Sequence, residues 1–355
     1  MTDGPHEPGN SADGSEQAVG MLADRLFRHE SARLRSGLIR RLGTSRLDLI
    51  DDIIQETLLA ALRHWRFAGI PQNPAAWLVR VAQHKAVDRV RKDRRHAAAE
   101  VELLAWAAAR ESKLSTPAAS DDPIDLMLLC AHPLLQEQDR VILTLSLSAG
   151  FGISEIARAF IISDAAAEQR LVRAKRTLRT SNVSLELADR EIPERLASVF
   201  HTLYLMLNEG YATHSTDVKT RLDLLAETRY LLGLLQESPL VPDELHPDVH
   251  ALSALAAFLW ARSGTRLDAA GGLILMEDQD RSLWDRGAIG EGLWHLARSS
   301  SGEQLTPFGV EAAIAACHAA APTFAQTDWA QIIGLYALLK RMKPTAVVLL
   351  KAAAA

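Results

Sequence analysis

Residues 136–179 read QEQDRVILTLSLSAGFGISEIARAFIISDAAAEQRLVRAKRTLR, and their pattern decides the fold. Gln136 to Ser148 has the apolar period of a helix, Ala149 to Gly152 breaks it, and Ile153 to Phe160 is a short amphipathic helix. Ile161-Ile162-Ser163 is a tight turn, and Asp164 to Arg179 is a second helix carrying Arg170, Arg173, Lys175, Arg176 and Arg179. Two short helices around a tight turn, the second one basic, are the layout of a helix-turn-helix.

At 100° per residue the second helix separates into two faces. Ala167, Leu171, Ala174 and Leu178 fall within about 60° of one another and form the core stripe. Ala165, Gln169, Arg173 and Arg176 lie opposite, flanked by Arg170 and Lys175. An amide one turn before arginines suits a major-groove helix, since the amide pairs with base edges and the guanidinium with guanine or phosphate. Basic residues can also merely solvate a surface helix; the short helix and turn ahead of this one favour DNA contact. Ser163 or Asp164 supplies its N-cap.

Composition fits a folded chain of several domains, with 48% hydrophobic residues in 355. A net charge of −5 conceals an asymmetry: residues 20–95 hold 16 Lys and Arg against 8 Asp and Glu, whereas residues 186–355 hold 14 against 21. A basic front and an acidic back imply one part that meets nucleic acid and another with a different task. Cys130 and Cys317 make neither a disulfide framework nor a four-ligand zinc site, and nothing calls for a cofactor. No apolar run approaches 18 residues and no signal peptide is evident, so a cytoplasmic protein is expected.

The breakers divide the chain into a disordered tail (1–18), a helical basic block (19–99), a linker (100–123), the helix-turn-helix block (124–182) and a C-terminal helical region (183–355). The expected fold is all-α throughout. The C-terminal region breaks near Thr213–Thr216, Pro239–Pro247, Ser299–Pro307 and Pro322-Thr323, giving helices of a length that suits a solenoid-like array, without a repeat of fixed period.

The basic block carries a second constellation. Leu49 to Trp65 places Asp51, Asp52, Gln55 and Glu56 towards the N-terminal end of a helix. There the macrodipole favours negative charge, and a docking face for a basic partner has the same pattern. Ile50, Ile53, Ile54, Leu58, Ala61, Leu62 and Trp65 are its expected buried stripe. After the loop Gly69-Ile70-Pro71-Gln72-Asn73-Pro74 comes a long helix with Trp77, Arg80, His84, Lys85, Arg89, Arg91 and Lys92. Cations that track a backbone beside aromatic and loop groups that accept unstacked bases are the means of single-strand binding, with Gln72 and Asn73 offering amides to a base edge. Core packing is the simpler role for Trp65 and Trp77, and helix packing for His201 and Cys317-His318.

Two segments of this block, Asp51-Asp52-Ile53-Ile54-Gln55-Glu56-Thr57-Leu58 and Asn73-Pro74-Ala75-Ala76-Trp77-Leu78, with Ala86-Val87-Asp88-Arg89-Val90-Arg91, resemble the second conserved region of bacterial extracytoplasmic-function (ECF) sigma factors. Residues 136–179 resemble their fourth region. Leu203-Tyr204-Leu205-Met206-Leu207-Asn208-Glu209-Gly210-Tyr211, Glu277-Asp278-Gln279-Asp280-Arg281-Ser282 and Ala313-Ile314-Ala315-Ala316-Cys317-His318 are similar to the subgroup with a C-terminal, tetratricopeptide-like helical extension.

The resemblance implies a non-enzymatic transcription factor whose partners are core RNA polymerase and promoter DNA. It assigns Asp51, Asp52, Gln55 and Glu56 to the β′ clamp helices, and the loop and helix from Gly69 to Arg95 to the melted non-template strand of the minus-ten element. The helix Asp164–Arg179 falls to the minus-thirty-five element, the linker to the RNA exit path, and the β flap is a further implied contact. Two departures stand out. Asp164-Ala165-Ala166-Ala167-Glu168 leaves few side chains to reach bases, so Gln169 and Arg173 carry most direct reading, helped by DNA shape. The chain also stops at Lys351–Ala355, where relatives of this kind continue into further helix pairs, and a shortened array is the expectation.

The acidic C-terminal region is expected to regulate in cis by contacting the front half. Its Asn208–Tyr211 and Glu277–Arg281 segments have polar groups for a small-molecule pocket, though anchoring of loops is the commoner use. A ligand-responsive helix-turn-helix repressor is the alternative reading, and it leaves the docking helix and the strand-binding helix unexplained. No phosphate loop, nucleophile elbow or His-Glu-x-x-His supports a hydrolase or transferase.

Overall fold

The computed structural model describes residues 27, 29–92, 123–181, 183, 191–211, 218–268, 272–300, 305–345, 348–350 and 352. The expected tail 1–18 and all of the expected linker except Pro123 lie outside the described residues. The fold is all-α: among the described residues the sole β pairing is an isolated antiparallel bridge, Leu267 to Leu273. No described helix is long and apolar enough to cross a membrane, and no described group of three or more His, Cys, Asp or Glu could hold a metal ion.

Contacts divide the chain into two units, residues 1–129, 145–151 and 175–185 in the first, and residues 130–144, 152–174 and 186–355 in the second. The first unit is built on α1 (29–42), α2 (Leu47–Ala68) and α3 (Pro74–Lys92). Leu34, Leu38 and Ile39 of α1, Ile50, Ile53, Ile54, Ala61 and Trp65 of α2, and Leu78, Ala82, Ala86 and Val90 of α3 are buried. These recur at three- and four-residue intervals, the spacing of one helix face. Gly69 ends α2 with φ +78°, a conformation that costs glycine little, while its N–H donates to the Trp65 carbonyl at 3.0 Å. Pro74 opens α3, where its missing N–H breaks no helical bond. Leu126 to Leu129 of α4 (Pro123–Cys130) are also buried.

One expectation for α2 fails. Leu58 is only half buried and Leu62 is 55% exposed. Leu62 instead joins Leu59, Phe67 and Ile70 in an exposed apolar strip that runs along the second half of α2 and into the loop.

The second unit contains most of α5 (Glu137–Leu147), all of α6 (Ile153–Phe160) and the first part of α7 (Asp164–Thr180). It continues through α8 (Ile192–Tyr211), α9 (Val218–Glu237), α10 (His246–Ala261), α11 (Arg286–Ser299), α12 (Pro307–Ala320) and α13 (Trp329–Met342). From α8 onward each helix packs on the next, the nearest-neighbour arrangement of an array. Centrally placed α10 buries Val249, Ala251, Leu252, Ala254, Leu255, Ala256, Ala257 and Phe258, so it is apolar nearly all round. Helix starts are fixed by side chains: Asp285 accepts from Ala288 N at 3.0 Å, Thr306 from Gly309 N at 3.3 Å and Asp328 from Gln331 N at 2.9 Å. Helix α6 packs against α8 and α9 in the same unit, where Arg140 Nη1 also donates to Ser198 Oγ at 3.2 Å.

Between α10 and α11 the chain runs irregularly, and the Glu277–Arg281 segment anchors it. Arg281 is buried and donates to the carbonyls of His318 and Ala321 at 2.8 and 2.9 Å and to Thr327 Oγ1 at 3.2 Å. Its guanidinium also lies 5.1 Å from the centroid of the Trp284 ring. Gln279 Nε2 donates to the Ile274 carbonyl at 2.9 Å, and Asp280 caps the turn at Ser282 N. These groups hold a loop to the end of α12. His318 packs edge-on against Trp329, as expected for a packing residue, whereas His201 lies at the surface, bonded to Glu137 and stacked on Tyr204.

Candidate nucleic-acid interface

The helix-turn-helix is assembled by local chemistry. Glu155 Oε2 accepts from Gly152 N at 2.8 Å and fixes the start of α6. Ile161 takes the left-handed conformation, φ +52°, and its N–H returns to the Arg158 carbonyl at 3.4 Å, closing the turn without a glycine. Ser163 is the N-cap of α7, accepting from Ala166 N at 3.2 Å, while Asp164 accepts from the Ser154 hydroxyl at 2.6 Å.

Helix α7 then has the two faces that its periodicity implies. Ala167, Leu171, Ala174 and Leu178 are buried. Ala165, Gln169, Arg173 and Arg176 are exposed, with Arg170 half-buried. Arg173 is nonetheless held in place: its Nε and Nη2 meet the two oxygens of Asp139 at 3.1 and 3.0 Å. That pairing raises the Arg173 pKa further above its ordinary value. The Asp139 side chain is only 5% exposed, so the buried carboxylate orients a guanidinium that remains accessible. Arg170 Nη1 donates to Gln138, the residue before Asp139 in the chain. No spacing in the sequence announces these contacts, because the partners lie more than thirty residues apart.

On α2 the four acidic and amide residues do not share one environment. Asp52 and Gln55 are exposed. Asp51 is mostly buried, bonded to Arg35 Nε at 3.1 Å and Lys175 Nζ at 2.6 Å within the first unit. Glu56 accepts from Lys85 Nζ at 3.2 Å and pairs with Arg89, and the Lys85 bond leads the effects that hold its carboxyl below the ordinary range. Two cations expected on DNA therefore brace α3 against α2.

Of the remaining α3 candidates, Arg80, His84 and Arg91 are exposed, and Lys92 is the last residue of the helix, its side chain outside the described set. Asn73 Oδ1 caps α3 by accepting from Ala76 N at 2.9 Å, which leaves its amide N–H2 for a ligand, and Gln72 beside it is exposed. Trp65 is buried, stacked on Phe27 at 5.4 Å and edge-on to Trp77 at 5.5 Å. Trp77 is half-buried, and the His64 ring stacks on it at 5.5 Å and 12°.

Next to this aromatic group lies a shallow surface cavity of about 630 Å³ lined by Ala60, Arg63, His64, Phe67 and Ala68. Phe67, 87% exposed, and the cationic Arg63 give it an aromatic and a basic wall. The local signal for this site in the sequence is Arg63-His64, which interrupts the apolar period of α2; the exposure of Phe67 has none.

Three known families match parts of the chain. Residues 26–96 match the family described as Sigma-70 region 2, residues 125–178 match Sigma-70, region 4, and residues 195–300 match a family of unknown function, DUF6596. An uncharacterized protein of Rhizobium meliloti (strain 1021) is 38% identical over 315 residues, covering 87% of this chain and 74% of that protein. No solved structure matches.

Proposed function

The chain belongs to the ECF-like sigma factors that carry a C-terminal extension, and from that premise we propose a division of labour among its helices. As a sigma factor it acts in promoter recognition, in families of non-enzymatic, DNA-binding transcription initiation factors. The acidic and amide residues of α2 (Asp51, Asp52, Gln55, Glu56), led by the exposed Asp52 and Gln55, dock on the β′ clamp helices of core RNA polymerase, and the fourth-region block meets the β flap. The loop with Gln72 and Asn73, together with the exposed cations of α3, holds the melted strand of the minus-ten element. Helix α7 enters the major groove of the minus-thirty-five element.

The observation that carries this reading is the row Ala165, Gln169, Arg173 and Arg176, exposed on a capped helix whose opposite face is buried. Arg173 presents a pre-oriented guanidinium, the geometry for bidentate contact with guanine, and Gln169 an amide one turn earlier. Paired substitutions test the assignment. Gln169→Ala with Arg173→Ala is expected to weaken upstream-element recognition while leaving polymerase binding intact; Asp52→Arg with Gln55→Ala is expected to do the reverse. Loss of polymerase binding in the first pair, or its retention in the second, contradicts the assignment.

The C-terminal helices are proposed to regulate in cis, acting on the helix-turn-helix through the packing of α6 on α8 and α9. Deleting them would uncover the apolar side of α6, so the gentler test is Ser198→Ala with His201→Ala, which removes the bonds to Arg140 and Glu137. Changed transcription at unchanged polymerase affinity is the expected result, and unchanged transcription counts against regulation through this contact.

A further inference from the structure

The docking reading makes the first two turns of α2 a surface that a partner must reach, and within the first unit that surface is occupied by the chain itself. Asp51 uses one oxygen for Arg35 and the other for Lys175 Nζ at 2.6 Å. Side chains at this pair are only 17% and 20% exposed, so the contact is largely sealed from solvent. One turn away Arg179 Nη1 meets Asp48 Oδ2 at 2.7 Å. Thr44 Oγ1, just ahead of α2, donates to the Val183 carbonyl at 2.9 Å, so the chain after α7 is also tied down. Three successive anchors, at Lys175, Arg179 and Val183, lay the end of α7 along the acidic start of α2.

The two cations involved are the last turns of the proposed DNA-reading helix. While Lys175 and Arg179 are bonded to carboxylates they cannot neutralise phosphates, and while Asp48 and Asp51 are bonded to them a basic partner surface cannot use those carboxylates. Each contact thus removes one group from each of the two surfaces.

We propose that the Lys175–Asp51 and Arg179–Asp48 pairs form an autoinhibitory latch between the fourth-region helix and the polymerase-docking helix. Core RNA polymerase opens it by competing for the acidic face, and opening releases two cations for promoter phosphates. Binding of polymerase and of promoter DNA are thereby coupled in the same direction, since each ligand is favoured by the open form. Asp52 and Gln55, exposed in the latched form, remain the first point of contact.

The latch rests on the docking reading, and its test separates the two. In the full-length free chain, zero-length carbodiimide coupling should join the Lys175 ammonium to the Asp51 carboxylate, detected as a linked peptide pair, and saturating core polymerase should suppress that link. In parallel, Lys175→Ala with Arg179→Ala should bind core polymerase about three- to tenfold more tightly, the range that one largely buried and one exposed ion pair support. Lys175→Glu with Arg179→Glu should give at least the same gain, by repelling Asp48 and Asp51. No link in the free chain, a link that persists undiminished in the complex, or variants that bind no more tightly than the unmodified chain each overturn the latch. If the link forms but neither the unmodified chain nor the variants bind polymerase, the docking reading fails and the inhibitory role falls with it.

Discussion

Arg173 has one observed partner, Asp139, and one proposed partner, DNA, and the observed contact ties it to the stability of the helix-turn-helix. Asp139 is buried, so removing its partner leaves a carboxylate short of hydrogen bonds in a poorly solvated place. Arg173→Ala should therefore destabilise the chain by about 1–3 kcal/mol in addition to weakening promoter recognition. Arg173→Ala with Asp139→Ala should recover much of that stability in urea titration while DNA recognition stays weak. If the double variant is no more stable than the single, the ion pair is not what orients Arg173. Arg173→Lys keeps the charge but loses the fork, and should retain phosphate attraction while losing base selectivity.

Asn73 combines an observed role as helix cap with a proposed one as reader of a base edge. As the cap of α3 its loss should cost about 1 kcal/mol, the usual value for an N-cap. Gln72→Ala beside it should leave urea stability unchanged while weakening contact with single-stranded minus-ten DNA. Equal stability loss in both variants would contradict the distinction between a capping and a reading amide.

At the level of elements, α11 comes close to α10 at Gly292. A Cβ at Gly292 would stand 2.5 to 2.8 Å from three carbons of the buried Phe258 ring, closer than carbon atoms pack. Gly292→Ala should destabilise the chain by about 1–3 kcal/mol through overpacking. Gly290→Ala, two residues away with nothing within 4 Å of its Cβ position, should be neutral or stabilising by up to about 1 kcal/mol from helix propensity alone. Equal thermal midpoints for the two variants would refute the packing account.

The elements were largely legible in the sequence because caps and apolar periods are local. Ser163, the Ile161 turn and the stripe from Ala167 to Leu178 follow from residues within one or two turns of each other. What escaped was nonlocal: the Arg173–Asp139 fork, the Glu56 brace to Lys85 and Arg89, and the pairing of Lys175 with Asp51 join residues 29 to 124 positions apart. Periodicity also overreached at Leu62. An apolar residue at helical spacing was assigned inward, whereas it belongs to an exposed strip beside the Arg63, His64 and Phe67 cavity.

Across the whole molecule, a set of histidines links stability to pH. His132, His250, His295 and His318 are each pushed down to about 4 from an ordinary value of 6.5, burial being the largest cause and neighbouring arginines adding to it in each case. His250 and His295 share a Nδ1 to Nδ1 contact at 2.9 Å, which requires at least one unprotonated nitrogen. Between pH 6.5 and 4 the unfolded chain takes up protons that the folded one resists. The stabilisation is thus fully present above about 6.5 and is lost as pH falls towards 4. Urea midpoints should fall between pH 7 and pH 5, a range in which ordinary carboxylates stay largely ionised. A midpoint flat over that range would contradict burial of these rings as neutral groups.

If the helices of its two sigma regions direct core RNA polymerase to promoters, the chain must create transcription start sites that core polymerase alone does not use. The most direct measurement is transcription from fragmented genomic DNA by purified core polymerase, with and without the full-length chain, followed by sequencing of the transcript 5′ ends. The expected result is new start sites that depend on the chain, preceded by shared minus-ten and minus-thirty-five sequences, and lost with Asp52→Arg and Gln55→Ala. An absence of chain-dependent starts, or duplex binding without polymerase that only represses transcription, would contradict it.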